Sequence, residues 1–248
     1  MKPEEFISKI KRAGIVGAGG AGFPTHMKFN TKLEYLILNC AECEPLIKVD
    51  RQLMAQFSSE IMETMEMICD TFDCSGIIAI KNVYKTALEV AKDEIENYKR
   101  LEIRELPNVY PAGDEIVLIY ETTGRIVAEG ALPSSVGTVV LNVETVLNIY
   151  NALKNEKPVT HKYLTVAGAV LNPMTLKVPI GIKVGEVLKL AGGTTLDEYR
   201  IIMGGPMTGK LCSSSSVVTK TTKALLVLPE HHPVIAKKKT NGSLSLKR

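Results

Sequence analysis

GIVGAGGAGFPTHMK, from Gly14 to Lys28, carries four glycines within six positions and closes on a lysine. Glycine allows the backbone to adopt positive φ angles and to approach a ligand closely, because it has no Cβ. A run of backbone N–H groups of this kind forms a concave nest for an anion. A helix that begins beside the nest adds a favourable dipole. The stretch therefore predicts a phosphate-binding loop.

This loop matches neither of the two common phosphate-binding motifs. It lacks the Gly-Lys-Ser/Thr ending of a P-loop, although GAGGAG from Gly17 to Gly22 does match the dinucleotide pattern GxGxxG. That pattern belongs after a buried strand, whereas the preceding residues PEEFISKIKRAG have the pattern of an amphipathic helix. Taken alone, the loop leaves a plain glycine-rich turn as an equal alternative.

A second motif, NCAECEP from Asn39 to Pro45, directly follows the apolar run YLILN. Short apolar runs of this kind are typical of buried strands. Ligands of α/β sheets bind at the carboxyl ends of such strands. The carboxylates of Glu42 and Glu44 are suited to hydroxyl groups or to a ring edge rather than to a phosphate. A solvated acidic loop is the alternative interpretation.

The first 157 residues show alternating helix and strand patterns, which predict a mainly parallel sheet with helices on both faces. Several methionines in the long pattern after residue 50 are expected to be core residues rather than ligands. The predicted helices are residues 4–13, 51–72, 84–99, 114–121 and 142–153, and the predicted strands are residues 35–39, 76–81 and 101–105.

The pattern changes after residue 157. Two short strands surround an Asn-Pro turn, a short helix follows, and two further strands complete the region. This order resembles a β-grasp module. The predicted strands are residues 163–168, 174–179, 199–203 and 224–228, and the predicted helix is residues 184–191.

Composition excludes several classes of protein. The chain has 248 residues, 45% of them hydrophobic and 23% charged, which is ordinary for a globular protein with ample core. A net charge of +3 is too small to indicate nucleic-acid binding. No apolar run has the length of a membrane span, and the N-terminal residues do not have the pattern of a signal peptide. The cytoplasm is therefore the default compartment.

The cysteines do not form a recognisable metal motif. Cys40 and Cys43 are spaced as C-x-x-C, which is compatible with a redox or metal pair, but zinc requires a second pair at suitable spacing. Cys69 and Cys74 do not fit the ferredoxin spacing. We therefore expect small buried or loop thiols and no metal ligands in these 248 residues.

Five motifs in order carry a resemblance to a known family. The glycine loop and NCAECEP are followed by YPAGDE at Tyr110–Glu115, LNVET at Leu141–Thr145 and GGPMTG at Gly204–Gly209. Together they resemble the flavin-binding subunit of respiratory complex I and its relatives, the C subunit of the Rnf electron-transport complex and the PduS-like cobalamin reductases. The short helix ahead of the glycine loop favours the last group, because the Rnf subunit has an extra domain there.

The resemblance implies a Rossmann-like FMN-binding α/β domain over residues 1–157, a β-grasp (SLBB) domain over residues 158–235, and a linker or tail over residues 236–248. In these families the β-grasp domain either binds a ligand such as cobalamin or serves as an internal packing domain. Iron–sulfur clusters lie beyond the region that this chain matches. The basic ending KKKTNGSLSLKR accordingly suggests a piece that lacks the cluster-bearing domain.

The resemblance also implies a set of cofactor-binding residues and no catalytic side chain. One group would line FMN or its phosphate side, and another would border the nicotinamide nucleotide. The FMN group is Gly17, Gly19, Gly20, Lys28, Asn39, Asn142 and Thr145, and the nucleotide group is Phe23, Glu42, Glu44, Tyr110, Gly113, Asp114 and Glu115. Three departures from the complex I pattern, which include Ala41 in place of an acid, weaken the nucleotide group more than the FMN group.

Some of these residues have a structural alternative. Asp114 and Glu115 are also suited to a helix N-terminus, where acids are stabilised by the dipole. Asn142 and Thr145 are likewise typical of a helix start. These roles are compatible with ligand binding.

The implied activity is that of an NADH-dependent flavoprotein oxidoreductase. Electrons would pass from NADH to FMN and, in an intact protein, through iron–sulfur clusters to cobalamin in a propanediol-utilisation type pathway. The implied partners are NADH and a corrinoid or corrinoid enzyme, with a bacterial microcompartment as the setting and a homo-oligomer as an option. The alternatives are an Rnf-type subunit that exchanges electrons between NADH and ferredoxin, and a non-catalytic corrinoid-binding or scaffold protein.

Overall fold

A computed structural model describes residues 1–29 and 32–244. It divides into two compact units. The first unit comprises Met1–Cys43 and Asp50–Val159, and the second comprises Glu44–Val49 and Thr160–Arg248. The expected boundary lay at residue 157, and the short segment from Glu44 to Val49 was not expected to belong with the second half of the chain.

The first unit is built on a four-stranded sheet in which every pair of neighbours is parallel, in the order β3-β2-β1-β4. Its strands are β1 Tyr35–Cys40, β2 Ser75–Lys81, β3 Leu101–Leu106 and β4 Thr138–Asn142. Its helices are α1 Pro3–Arg12, α2 Val49–Gln56, α3 Ser58–Phe72, α4 Lys85–Ile95, α5 Glu115–Thr123 and α6 Val143–Lys154.

Helices cover both faces of this sheet. Ile37 and Ile77 pack with Leu118 and Ile119 of α5 on one face. Because side chains alternate along a strand, the neighbouring residues of β1 and β2 point to the opposite face, where α3 and α6 pack against the sheet. Burial on both faces explains why these strands form unbroken apolar runs rather than alternating ones. The predicted parallel α/β sheet is confirmed.

Three details of the first unit differ from the sequence prediction, and one of them is that the helix expected over residues 84–99 ends at Ile95. The helix expected over 51–72 is two helices, because Phe57 adopts φ −128° and ψ 33° and interrupts them. Ser58 and Ser59 follow directly, and serine favours helix starts over helix interiors. In addition, β4 was missed, since its five residues run without a break into the helix start at Asn142.

The second unit contains a five-stranded mixed sheet in the order β6-β5-β9-β7-β8. Strands β5 and β9 are parallel, and the other neighbouring pairs are antiparallel. The strands are β5 His161–Gly168, β6 Met174–Pro179, β7 Tyr199–Met203, β8 Lys210–Cys212 and β9 Ala224–Pro229, and the helices are α7 Val184–Leu190 and α8 Pro233–Leu244. The helix α7 buries Val184, Val187 and Leu188 in the core of this unit.

The predicted strands and the short helix of the second unit are confirmed. Strand β8 was missed because three residues are too few to show a periodicity. Helix α8 includes the first residues of the linker or tail expected over residues 236–248, and its Lys238 Nζ donates to the carbonyl oxygens of Met207 and Gly209. Residues 245–248 of that expected tail lie outside the described residues.

Candidate functional site

The parallel sheet brings four chain segments to one edge of the first unit. Parallel strands end on the same side, and ligands of α/β proteins bind there. Strand β1 ends at Asn39 and Cys40, β2 ends at Lys81, and β4 ends at Asn142, which stands opposite Asn39 in the sheet register. Strand β3 leads into the loop that carries Tyr110. The candidate site is this carboxyl edge.

The glycine loop has open backbone donors. Gly17 N–H donates to the Phe23 carbonyl oxygen at 2.8 Å, and Gly22 N–H donates to the Gly17 carbonyl oxygen at 3.2 Å, so the loop closes on itself. Within the described residues, the N–H groups of Gly19 and Gly20 donate to no group. Gly20 has φ +126°, and a Cβ there would have no atom within 4 Å. Among the described residues the loop therefore leaves two amides without a hydrogen-bond acceptor, as an anion nest requires.

Helix α6 begins beside this loop. Asn142 is its N-cap, and its Oδ1 accepts from Glu144 N–H at 3.1 Å. Thr145 Oγ1 accepts from Ala18 N–H at 3.0 Å and so attaches the loop to the first turn of the helix. A Cβ on Gly19 would lie 3.7 Å from Asn142 Cβ. The partial positive charge of a helix N-terminus therefore lies next to the open amides.

Lys28 reaches the same sheet through two contacts. Its Nζ donates to Glu115 Oε1 at 2.8 Å and to the Val140 carbonyl oxygen at 2.9 Å. The side chain of Lys28 is 23% exposed and that of Glu115 is 41% exposed. The ammonium is thus held at the sheet edge by one strand and one helix, with a carboxylate close to it.

Asn39 holds the loop after β3 against the loop after β1. Its Nδ2 donates to the Gly113 carbonyl oxygen at 2.9 Å, and its Oδ1 accepts from Ala41 N–H at 3.0 Å. Gly113 N–H in turn donates to Cys43 Sγ at 3.0 Å. A Cβ on Gly113 would lie 1.8 Å from the Ala41 carbonyl oxygen, so only glycine permits this approach.

Asp114 is the N-cap of α5, as the structural alternative predicted. Its carboxylate accepts from Ile116 N–H at 3.0 Å and from Val117 N–H at 3.2 Å. The two aromatic side chains of the predicted site are open to solvent, because Tyr110 is 68% exposed and Phe23 is 38% exposed. An exposed aromatic face at a site edge is suited to a planar ring.

The backbone carbonyl group of Glu42 contacts two side chains that were not predicted as site residues. Its carbonyl oxygen accepts from Lys81 Nζ at 2.9 Å and from the Tyr84 hydroxyl at 3.4 Å. The pKa of Tyr84 is raised to about 12, mainly by burial, and the nearby Cys40 raises this pKa further. The guanidinium of Arg51 lies 5.2 Å from the centre of the Tyr84 ring.

A third missed residue is Asp50, near the start of α2. It is 2% exposed, and its Oδ2 accepts from Asn142 Nδ2 at 2.8 Å. One usable signal for these residues is present in the sequence, since Lys81 is a charged residue that closes the otherwise apolar strand GIIAIK. No sequence signal places Asp50 or Tyr84 at the edge.

Glu44 belongs to the second unit and has partners there. Its carboxylate accepts from Met207 N–H at 2.9 Å, from Thr208 N–H at 2.6 Å and from the Thr208 hydroxyl. A Cβ on Gly205 would lie 2.1 Å from Glu44 Oε2. The Gly204–Gly209 motif is thus a turn that binds the Glu44 side chain. The acidic motif is divided, with Glu42 in the first unit and Glu44 in the second.

Residues 1–29 and 32–244 contain no group of three or more histidine, cysteine or acidic side chains arranged to hold a metal ion. All five cysteines are free thiols. Cys69 and Cys74 form a buried pair in which the Cys69 thiol donates to Cys74, and this raises the pKa of Cys69. Across the same described ranges, none of the helices combines the length and apolar character that crossing a membrane requires.

Comparison with protein families agrees with this geometry. The family model described as the Nuo51 FMN-binding domain matches residues 10–151, which is more than half of the chain. The chain belongs to this Nuo51 FMN-binding domain family. A second model, the SLBB domain, matches residues 163–211 in the second unit.

Curated relatives extend the similarity over nearly the whole chain. Over 240 residues it is 48% identical to the cobalamin reductase PduS of Salmonella typhimurium, an alignment that covers 96% of this chain and 53% of that protein. Over 243 residues it is 35% identical to the C subunit of the Na(+)-translocating ferredoxin:NAD(+) oxidoreductase complex of Acetobacterium woodii, with coverage of 95% and 55%. The chain spans about half the length of these curated relatives.

A solved structure shows the same fold. A crystal structure of an NAD+-reducing NiFe-hydrogenase in the H2-reduced state matches with a TM-score of 0.78 at 23% identity, and it covers 93% of this chain and 48% of that one. At this identity the match shows the fold alone. The predicted resemblance and the predicted fold, an FMN-binding α/β domain followed by an SLBB domain, are confirmed by these comparisons. The relatives also confirm the class of the family, a flavoprotein oxidoreductase.

Proposed function

We propose that this chain binds FMN at the carboxyl edge of its parallel sheet and passes electrons from NADH through it. The observation that carries the proposal is the pair of open amides at Gly19 and Gly20 beside the N-terminus of α6. An anion nest next to a helix N-terminus fits a phosphate monoester such as that of FMN. Membership in the FMN-binding family supports the same ligand.

The remaining residues of the edge fit the other parts of FMN. Lys28 offers an ammonium near the phosphate or ribityl chain, and Asn39 and Asn142 carry amide groups at the ends of neighbouring strands. Lys81 is 6% exposed and adds a buried cation to this edge. Neutral donors and cations are what a phosphate and the ring carbonyl groups of a flavin require.

The nicotinamide nucleotide is assigned to the loops that border this edge. Phe23 and Tyr110 provide exposed aromatic faces, and Asp114 and Glu115 provide carboxylates that suit ribose hydroxyls. Bound FMN supplies the chemistry, since it accepts a hydride from a nicotinamide and releases electrons one at a time. The protein holds both rings, excludes water between them and needs no side chain as a general acid.

The electron acceptor is a further part of this proposal, and the name of one relative supports it. We assign onward transfer to iron–sulfur clusters in a longer protein, as the resemblance implies, and then to the cobalt of a corrinoid, as the name of the 48% identical relative suggests. The SLBB domain either binds the corrinoid or packs internally. A microcompartment in the cytoplasm is the corresponding setting, and the boundaries 1–157 and 158–235 remain our proposed domain limits.

The proposal is tested by anaerobic titration of the FMN-loaded chain with NADH, followed by the visible spectrum. We expect one FMN per chain, and we expect its visible absorbance to be lost when NADH is added. Bound FMN that NADH does not bleach would overturn the choice of electron donor. A chain that binds no FMN would overturn the assignment of the edge.

A matched pair of variants tests the phosphate site itself. Gly19→Asp and Gly19→Asn add side chains of equal size where a Cβ has ordinary contacts, at 3.7 Å from Asn142. Only the aspartate repels a phosphate, so we expect FMN to bind Gly19→Asp at least about tenfold more weakly than Gly19→Asn. Equal affinities would place the phosphate elsewhere.

The electron acceptor is tested separately. The longer protein is supplied with NADH and either a corrinoid or ferredoxin, and selective reduction of ferredoxin would favour the Rnf-type alternative.

A further inference from the structure

Lys81 is a buried cation to which the proposed function assigns no particular part of FMN or of the nicotinamide nucleotide. It is the last residue of β2 and follows Ile80, which pairs with Cys40 of β1. Its side chain is therefore at the carboxyl edge, one position beyond the register of Cys40. With 6% exposure it is nearly as buried as the apolar residues of the same strand.

The ammonium of Lys81 lacks an anionic partner in the part of the chain that the structure describes. It donates to the Glu42 carbonyl oxygen at 2.9 Å and makes no ion pair there. An ammonium carries three donors, and burial of a charge is costly unless a countercharge or several hydrogen bonds compensate for it. One neutral carbonyl group is incomplete compensation, which indicates that an anionic ligand completes the site.

Tyr84 shows that the carbonyl oxygen does not need Lys81 for its hydrogen bond. The Tyr84 hydroxyl donates to the same Glu42 oxygen, at 3.4 Å. A neutral side chain at position 81 would therefore still leave this oxygen with a donor. What Lys81 adds beyond the hydrogen bond is its charge.

We propose that Lys81 stabilises the negative charge that FMN gains when it is reduced. This inference rests on the proposed function, because it requires FMN at the carboxyl edge. Two-electron reduction of a flavin by hydride yields an anion at neutral pH, and a cation held in a site of low dielectric stabilises that anion more than the neutral oxidised ring. Lys81 thereby raises the reduction potential of bound FMN and tunes it as an electron acceptor. It acts through its charge and is not a hydride donor or acceptor.

The test compares the affinities of the chain for oxidised and for reduced FMN. Their ratio fixes the difference in reduction potential between bound FMN and free FMN. The variants are Lys81→Gln, which keeps a donor for the Glu42 oxygen but no charge, Lys81→Met, which keeps neither, and Lys81→Arg, which keeps both. Tyr84→Phe is the matched control, since it removes the other donor to that oxygen and leaves the charge in place. Affinity for oxidised FMN is measured by fluorescence quenching, and the potential by equilibration with a reference dye.

We expect Lys81→Gln and Lys81→Met to lower the ratio of reduced to oxidised FMN affinity about tenfold, with a corresponding fall in the potential. Lys81→Arg and Tyr84→Phe should keep the wild-type ratio within about twofold. A merely structural lysine would weaken both forms equally, so an unchanged ratio in both neutral variants overturns the inference.

The wild-type protein provides a second and independent check. We expect the wild type to bind reduced FMN at least as tightly as oxidised FMN, and this measurement does not require a folded variant. Tighter binding of the oxidised form, by about tenfold or more, would overturn the role of Lys81 while leaving FMN binding intact. A wild type that binds no FMN in either form would instead overturn the proposed function.

Discussion

The two sheets of this chain differ in strand direction, and their strand ends differ in chemistry. In the first unit all four strands are parallel, so their carboxyl ends meet at one edge. Three of these strands end on polar or charged residues. Strand β1 ends on Asn39 and Cys40, β2 on Lys81 and β4 on Asn142. In the second unit neighbouring strands mostly run in opposite directions. Its strands end at Gly168, Pro179, Met203, Cys212 and Pro229, and none of these side chains carries an amide or a charge.

The difference shows how topology concentrates function. A parallel sheet gathers the loops that follow its strands at a common edge, whereas an antiparallel sheet divides them between two edges. Polar groups that lie far apart in sequence can therefore share one ligand in the first unit. In the second unit the loop chemistry serves its own turns, as the binding of Glu44 by the Gly204–Gly209 turn shows.

The largest expected effect comes from Gly113, which lies where the loop after β3 meets the loop after β1. In Gly113→Ala the new Cβ would overlap the Ala41 carbonyl oxygen at 1.8 Å. The backbone must move, and we expect a loss of about 3 kcal/mol in the free energy of unfolding, together with loss of FMN binding. Urea unfolding and FMN titration measure the two effects.

The control for Gly113 is Gly17→Ala, in which the added Cβ meets only ordinary contacts at 3.7 Å. Its stability should change by less than about 1 kcal/mol. Wild-type stability in Gly113→Ala would show that the two loops are not packed at the carboxyl edge as described. That result would remove the geometric basis of the contrast between the two sheets.

A smaller effect is expected at Glu44, where the acidic motif enters the second unit. In Glu44→Gln one carboxylate oxygen becomes an NH₂ group, which cannot accept from Met207 or Thr208 N–H. Because hydrogen bonds to a charged acceptor are the stronger kind, we expect a loss of about 2 kcal/mol in stability. Thermal unfolding measures this loss, and NADH titration of the FMN-loaded protein is done in parallel.

Thr208→Val provides the comparison, since it removes the hydroxyl donor and keeps the two backbone donors to Glu44. Its loss should be about 1 kcal/mol. The result decides between two roles for Glu44. Unchanged stability of Glu44→Gln with a raised KM for NADH would assign the carboxylate to the nicotinamide, as the resemblance implied. A stability loss with an unchanged KM would assign it to the turn.

Most of the framework could be predicted from sequence because the signals are local. Helix α1 and strands β1, β2 and β3 were predicted within one residue at each end, since long periodic or apolar runs carry their own boundaries. The N-cap roles of Asp114 and Asn142 were also anticipated, because a cap depends only on the next few residues. The ordered motifs identified the family.

The residues that sequence reasoning missed depend on distances across the sheet. Lys81 and Tyr84 meet Glu42 only because β2 pairs with β1 in a particular register, and Asp50 meets Asn142 only because α2 begins near the end of β4. A pattern along the chain contains no information about such pairs. For the same reason, no pattern in the sequence indicated that the Glu44 carboxylate accepts hydrogen bonds from residues about 160 positions away.

The smallest effect we expect separates the two roles of Asp114. As N-cap of α5 it accepts from two backbone N–H groups, and removal of such a cap costs about 1 kcal/mol. Asp114→Ala should therefore lose about 1 kcal/mol in urea unfolding, whereas Asp114→Ser keeps a capping oxygen and should lose only a few tenths. Both variants lack the carboxylate. If that carboxylate also binds the nucleotide ribose, KM for NADH rises equally in both, but if Asp114 is only a cap, the serine variant keeps the wild-type KM. The serine variant thus tests whether the carboxyl edge uses Asp114 for its ligand or only to begin a helix.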